Sequence, residues 1–498
     1  MARPSLGACH PIVVYTVGMD TLYDGLKTPI LEALEKFQSI ETASLHVPGH
    51  KAGRGLASEF AKYAMPLARI DATELPGLDD LHHPQGVIKE AEQLAAMAWG
   101  SDVAFFLVNG STVGNLAAVM AVVNAGDTVI IGRDAHQSVW HALELARAKV
   151  VVVLPRHLGP LIGAIDAVDI EAAIHAYPEA TAVVITSPTY HGIVPDLTSM
   201  VNLAHTNGMK VIVDEAHGAH LAFHPDLPLS AVSAKADLVV QSTHKMTAAF
   251  TQTALLHVCG NCVDVETVRH YLQVFQTSSP SYLMLASIDA ARAQLAVEGQ
   301  FLIGTMLDIL REGRKRLNDT FPGLINDGWE GLMSDPFKWT LWSLEWGVTG
   351  EQLANAFMQS GIFIELYDEE HVLLVWSYAN STRDMEKVIR VIQQVFHGRS
   401  RIAHADLESS WSNEIPRYST VLPFDTSKKN KHIASLEDLP GKRAACAITL
   451  YPPGIPLLLP GESYTTNMIQ YIKKCLAFGL RVDGLANAKE GRAWFLSE

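Results

Sequence analysis

Between Gly100 and about Val258 the chain repeats one pattern, a short β-branched run followed by a helical stretch. The runs Val103–Val108, Thr128–Ile131, Val150–Leu154, Ala182–Thr186, Lys210–Val213 and Leu238–Gln241 read as strands. Leu116–Val123, Val139–Ala148, Ile170–Ala176 and Leu197–Asn207 read as the helices between them. That order predicts an α/β fold with a mainly parallel sheet covered on both faces. In such sheets ligands sit beyond the carboxyl ends of the strands. Ser187, Asp214 and Lys245 all fall there by this reading.

The rest of the chain is organised around that unit. A length of 498 residues is too great for one core and implies two or three domains. Residues 1–70 are expected to form an N-terminal arm and linker, with a short helix over 29–39 opened by Pro29. The large domain is expected over 71–300. A long helical stretch from Ser281 to Leu317, interrupted near Gly299, leaves it. Residues 301–397 read as a smaller α/β domain, with strands at Lys338–Leu344 and His371–Trp376. The C-terminal region, 398–498, begins polar and less regular and ends with a helix over Thr466–Phe478.

Two motifs define the chemistry. Val211-Ile212-Val213-Asp214 delivers an acid at a strand end, and Leu238-Val239-Val240 leads to Gln241-Ser242-Thr243-His244-Lys245. An acid and a lysine on neighbouring strand ends are the minimum equipment for holding pyridoxal 5'-phosphate (PLP). The lysine takes the aldehyde as a Schiff base, and the acid pairs with the pyridinium nitrogen. Asn109-Gly110-Ser111-Thr112 follows a strand and opens a helix, so its amides and hydroxyls can cradle a phosphate, or serve as a plain helix cap. Ser242 and His244 are further phosphate candidates because the phosphate must lie near Lys245. His136 can stack on the ring or merely cap the helix that follows it. Ala216 is small enough to lie under the other face. Thr189 and His191, in a turn explained equally by its Pro and Gly, can reach the ring hydroxyl or the substrate.

Composition narrows the class. A net charge of −15, from 38 basic and 53 acidic residues, argues against nucleic-acid or anionic-membrane partners and is compatible with a cationic substrate. Five cysteines, at 9, 259, 262, 446 and 475, imply no disulfide framework and fit a reducing, cytoplasmic compartment. No run is long and apolar enough for a membrane span, and no secretory signal is legible at the start. Asp214-Glu215-Ala216-His217 matches a helicase string, but no phosphate-binding G-x-x-x-x-G-K-[ST] loop accompanies it. Cys259 with Cys262 and His217 with His220 are lone pairs, too few ligands for a zinc site, so no metal is expected.

Taken together these residues resemble the Orn/Lys/Arg decarboxylases, the bacterial-type group with the aspartate-aminotransferase fold. The marks are Val47-Pro48-Gly49-His50-Lys51-Ala52-Gly53, Asp71-Ala72-Thr73-Glu74-Leu75, Leu78-Asp79-Asp80-Leu81-His82 and Asn109-Gly110-Ser111-Thr112. They continue through Ser187-Pro188-Thr189-Tyr190, Asp214-Glu215-Ala216-His217-Gly218, Ser242-Thr243-His244-Lys245 and Ser279-Pro280-Ser281-Tyr282. Tyr451-Pro452-Pro453-Gly454-Ile455-Pro456 and Pro460-Gly461-Glu462 complete the set. The resemblance runs from about Lys27 to the C-terminal region. It implies a fold-type I large domain of PLP-dependent transferases with a smaller C-terminal α/β domain.

The resemblance also implies roles. Lys245 would carry the cofactor, Asp214 would contact the pyridinium and His136 would stack on the ring. Ser111, Thr112, Ser242 and His244 would hold the phosphate, with Ala216 and His217 lining the cofactor site. The site would form in a homodimer, with the Ser278–Ser279 segment reaching the partner's phosphate. Ser111 stands where Thr is frequent in the family, which keeps the hydroxyl. The implied activity is decarboxylation of a basic L-amino acid in polyamine biosynthesis, with arginine first and lysine or ornithine after it. The cationic end of such a substrate needs an acid, and Glu74, Asp79, Asp80 and Glu462 are the candidates, with Thr189 nearby. An aminotransferase or lyase on the same fold would share Asp214 and Lys245 but lack the Pro-Gly-His-Lys and Pro-Pro-Gly blocks.

Overall fold

The computed structural model describes residues 25–40, 43–158, 161–325, 332–402, 418–421, 431–451, 454–477 and 479–496. Residues 1–20, the Pro452-Pro453 pair and Phe478 lie outside them.

The predicted α/β unit is built on an eight-stranded sheet. Its strands are β1 (Val103–Leu107), β2 (Thr128–Gly132), β3 (Lys149–Val153), β4 (Ala180–Thr186), β5 (Lys210–Asp214), β6 (Leu238–Gln241), β7 (Ala254–Val258) and β8 (Tyr418–Val421). The spatial order is β1-β7-β6-β5-β4-β2-β3-β8. The five central strands, β3-β2-β4-β5-β6, run parallel. β7 is antiparallel to both its neighbours, and β8 closes the other edge antiparallel to β3. Neither β7 nor β8 is among the expected strands. Ala254-Leu255-Leu256-His257-Val258 has a single β-branched residue, and β8 falls in the stretch read as irregular.

Side chains alternate across the sheet with period two. Val129, Ile131, Val150, Val152, Val184 and Ile212 pack on one side, under α1 (Gly110–Val122), α2 (Gln137–Ala146) and α3 (Val265–Phe275). Ile130, Val151, Val153, Val183, Ile185, Val211 and Val213 pack on the other, over α4 (Ala167–Ala176) and α5 (Leu197–Thr206). Each such buried aliphatic side chain contributes about 1.5–3 kcal/mol of burial free energy. The same parity puts Asp214 on the α1–α2 side, because it lies two residues beyond Ile212. α1 begins at Gly110, six residues before the expected start, because Gly110 adopts φ 77° and turns the chain directly into the helix.

α6 (Tyr282–Thr320) is one unbroken helix of 39 residues. The interruption expected at Gly299 is absent. Gly299 is there because Phe223 packs against the helix, leaving an added Cβ only 3.2 Å from the phenylalanine. The far half of α6 joins a second core with Trp339, Leu341, Phe357, Val372, Leu374 and Phe396. There a three-stranded antiparallel sheet, β9 (Lys338–Leu341), β10 (Val372–Val375) and β11 (Leu366–Tyr367), carries the helix Thr382–Phe396, which starts on a Ser381/Asp384 capping box. A hairpin-like pairing of Met333–Ser334 with Ile193–Val194 ties this unit to the large one. The last stretch has its own core of Leu436, Leu439, Ile448, Tyr464 and Ile472. No helix among the described residues is long and apolar enough to cross a membrane.

Candidate active site

A cavity of about 1250 Å³ opens at the carboxyl ends of the central parallel strands. Its walls come from four separated stretches: Gly110–Thr112 after β1, the ends of β2 to β6, the turn around Glu365, and residues between Leu450 and Leu480. Asp214, Lys245, His136, Ser111, Thr112, Ala216, His217, His244, Thr189 and Glu462 all line it.

Asp214 is 4% exposed. It accepts hydrogen bonds from Asn115 Nδ2 at 2.9 Å and from the Ala216 amide at 3.2 Å. Asn115 Nδ2 also donates to Ser138 Oγ at 2.9 Å, and that hydroxyl lies 2.8 Å from His136 Nδ1. The Ser138 amide donates to the same Nδ1, so His136 caps α2. It therefore combines the capping role read from the sequence with a place on the cavity wall. The Ser138 amide's bond requires a lone pair on Nδ1, so the ring is neutral, and desolvation lowers its pKa against the pull of Asp214.

Lys245 sits in the short helix Thr243–Met246 that follows β6. Its exposed surface faces the cavity, and its Nζ is 3.3 Å from His217 Nε2. Desolvation by the walls lowers its pKa, while Asp214 and Glu365 pull the other way. Ser242 Oγ donates to Ser111 Oγ at 2.9 Å, bringing two hydroxyls together at the N-terminus of α1. His244 Nδ1 is fixed on the Thr253 carbonyl at 2.8 Å, which directs Nε2 elsewhere.

Other sequence candidates lie apart. Asp79 has both carboxylate oxygens on backbone amides, among them Gln85 at 2.9 Å and Gly86 at 2.7 Å, and these bonds hold its pKa down despite desolvation. It orders a loop and is not on the cavity wall. Glu74 is exposed and bonded to Thr73, and Ser279 is exposed beside Thr277, both outside the cavity of this chain. Glu462 is on the wall but paired with Arg133 at 3.0 Å and with the Leu459 amide at 2.6 Å.

One cavity residue, Glu365, and two buried residues behind the wall, Lys338 and Asn115, were not singled out from the sequence. Glu365 accepts from the Tyr190 hydroxyl. Lys338, on β9, places Nζ 2.9 Å from His217 Nδ1. Asn115 links Asp214 to Ser138. Only Asn115 carried a signal, as a lone amide in the apolar stretch Val113-Gly114-Asn115-Leu116-Ala117.

The sequence matches the family model for the major domain of Orn/Lys/Arg decarboxylases over residues 28–330, and that for the C-terminal domain over 424–494. The chain belongs to the Orn/Lys/Arg decarboxylase family and is an amino-acid decarboxylase of that group. It is 35% identical over 471 residues to the arginine decarboxylase of Bacillus subtilis (strain 168), covering 92% of this chain and 95% of that one. Against the arginine decarboxylase of Halalkalibacterium halodurans the identity is 34% over 474 residues, with the same coverage. The crystal structure of the lysine decarboxylase of Francisella novicida superposes with a TM-score of 0.80 at 19% identity, covering 95% of this chain and 81% of that one, which shows a shared fold.

Proposed function

We propose that this chain removes the α-carboxylate of arginine as CO2, giving agmatine, with PLP held at Lys245. The observation that carries the reading is the convergence of Lys245, Asp214 and Ser111 on one cavity at the strand ends, with the buried Ser242 donating to the Ser111 hydroxyl from behind. The residues present fit the group. Asp214 offers a buried carboxylate for a protonated ring nitrogen, and Asn115 and the Ala216 amide hold it in place. Gly110, Ser111, Thr112 and His244 line the end that would take the phosphate, with Ser242 behind Ser111. His136 and Ala216, both on the cavity wall, would flank the ring, with Thr189 and His217 at its rim.

When bound, PLP supplies an electron-withdrawing ring that takes up the electron pair left by the departing carboxylate. The protein's part is to bind, orient and manage protons. Lys245 supplies the amine, and the neutral His136 keeps a second positive charge away from the ring. Asp214 is almost fully buried, which strengthens its electrostatic contacts. Glu365 is the carboxylate best placed for the guanidinium, in place of Glu74 and Asp79, because it faces the cavity with Tyr190 beside it. Ser279 is assigned to the cavity of a second copy in a cytoplasmic homodimer, on the strength of the family resemblance. We also assign residues 71–300, 301–397 and 398–498 as its large, small and C-terminal parts.

The test is purified protein supplied with arginine, lysine and ornithine in turn, with CO2 and the amine product measured. Agmatine is expected, and abolished turnover in Lys245→Ala. Turnover of none of the three, or retained turnover in Lys245→Ala, overturns the reading.

A further inference from the structure

His217 stands between two lysines. Its Nε2 is 3.3 Å from Lys245 Nζ and its Nδ1 is 2.9 Å from Lys338 Nζ. A neutral imidazole has one N–H and one lone pair, and an ammonium has only donors. Two ammonium groups cannot both bond this ring, and neither can bond a doubly protonated one. One of the two lysines must therefore be a free amine. Tyr190, edge-on at 5.0 Å, packs against the imidazole.

Lys338 is built into the structure rather than reaching in from the surface. It is 5% exposed, and the turn at Gly192 lies on its stem, where a Cβ would meet Lys338 Cγ at 2.6 Å. Gly192 O accepts from the Asp335 amide at 2.7 Å, locking the turn to the strand start. The groups facing Lys338 are Asp335, Glu365, His191, His217 and Lys245. Those facing Lys245 are Asp214, Glu365, His136, His217, His244 and Lys338. Burial lowers the pKa of both amines, that of Lys338 to about 8, so titration does not choose between them; the shorter contact, on the Lys338 side, is the one expected of a charged donor.

We propose that Lys338 is a positioning residue that donates to Nδ1 of His217, directs the Nε2 hydrogen at Lys245, and so presents Lys245 as a free amine. This rests on the reading of Lys245 as the cofactor lysine, since a nucleophilic amine is what that role requires. It also makes the reactivity of Lys245 depend on the second unit being docked, because Lys338 arrives on β9.

The test is trace acetylation of the cofactor-free protein over pH 6–10, with Lys245 modification quantified by peptide mass spectrometry. In Lys338→Met, which has no donor, Lys245 reactivity at pH 7.5 is expected to fall about tenfold, corresponding to one pKa unit. Lys338→Gln and Lys338→Arg, which keep a donor, are expected to restore most of it. Equal reactivity in all four proteins overturns the proposal. The ¹⁵N resonances of His217 in the wild type, assigned by their loss in His217→Asn, give a check independent of how the variants fold. Protonation at Nε2 supports the proposal, and protonation at Nδ1 overturns it. Borohydride reduction of the PLP-loaded wild type separates the two readings. A pyridoxyl group on Lys245 with no effect of Lys338→Met sinks this inference alone. No pyridoxyl on Lys245 sinks the cofactor reading and the purpose of Lys338 with it.

Discussion

Asn115 Nδ2 lies 2.9 Å from Asp214 Oδ2 and 2.9 Å from Ser138 Oγ, so one buried amide fixes both the acid of β5 and the cap that orients His136. A hydrogen bond to a charged group is worth about 1.5–3 kcal/mol. Asn115→Leu, similar in volume, is therefore expected to weaken PLP binding by roughly tenfold or more on that scale. Titrating cofactor-free protein with PLP and following the absorbance measures this. Unchanged affinity would remove Asn115 from the support of Asp214.

Glu365→Gln keeps the shape of the cavity wall and deletes one charge. If Glu365 receives the guanidinium, the KM for arginine should rise by about tenfold or more, the scale of one charge-assisted hydrogen bond. Its kcat should change less. Steady-state kinetics with arginine reads both, and an unchanged KM would point to another acid.

Glu215, next to Asp214 in sequence, has its side chain in the core beside β6. It accepts from Gln241 Nε2 and the Ala231 amide, each at 2.6 Å. Burial pushes its pKa up to about 8 from 4.5. Between those values the folded protein keeps the proton and the unfolded chain releases it. The contribution to stability is full below about pH 4.5 and is lost as pH rises to about 8. Glu215→Gln removes that dependence, so its Tm relative to wild type should climb between pH 5 and pH 8. Thermal unfolding at both values tests it, and a constant difference would show that Glu215 is ionised in the fold.

Arg292 and Asp289 form an ion pair at 2.6 Å on α6, both fully buried. Asp289 also takes the Ile30 amide at 3.0 Å, and Arg292 donates to Gly25 O at 2.8 Å. Asp289→Ala leaves a buried guanidinium without its carboxylate, a change that typically costs about 3–5 kcal/mol. Denaturant unfolding should show a loss of that size, and a loss below about 1 kcal/mol would mean that water reaches the guanidinium.

The parallel sheet was legible because each central strand is a compact apolar run closed by a turn, and the last residues of those runs name Asp214 and lead to Lys245. β7 escaped because its leucines and alanine read as helix as easily as strand. Glu365 and Lys338 were illegible for a different reason. Each belongs to a distant unit, and only the docking of that unit on the turn Thr189–Gly192 brings Glu365 to the cavity and Lys338 to His217. Asp79 and Glu74 illustrate the converse. Their neighbourhood matches the family, but local backbone amides claim Asp79 and Glu74 lies exposed, so matching residues did not place a side chain in this cavity.

Gly454 lies against His136, where a Cβ would stand 2.8 Å from the imidazole Nε2, and its carbonyl takes the Gln137 amide at 2.9 Å. His136, Asp214 and Lys245 are all made some two hundred residues before Gly454, so a chain that stops short of it carries them with one wall of their cavity still missing.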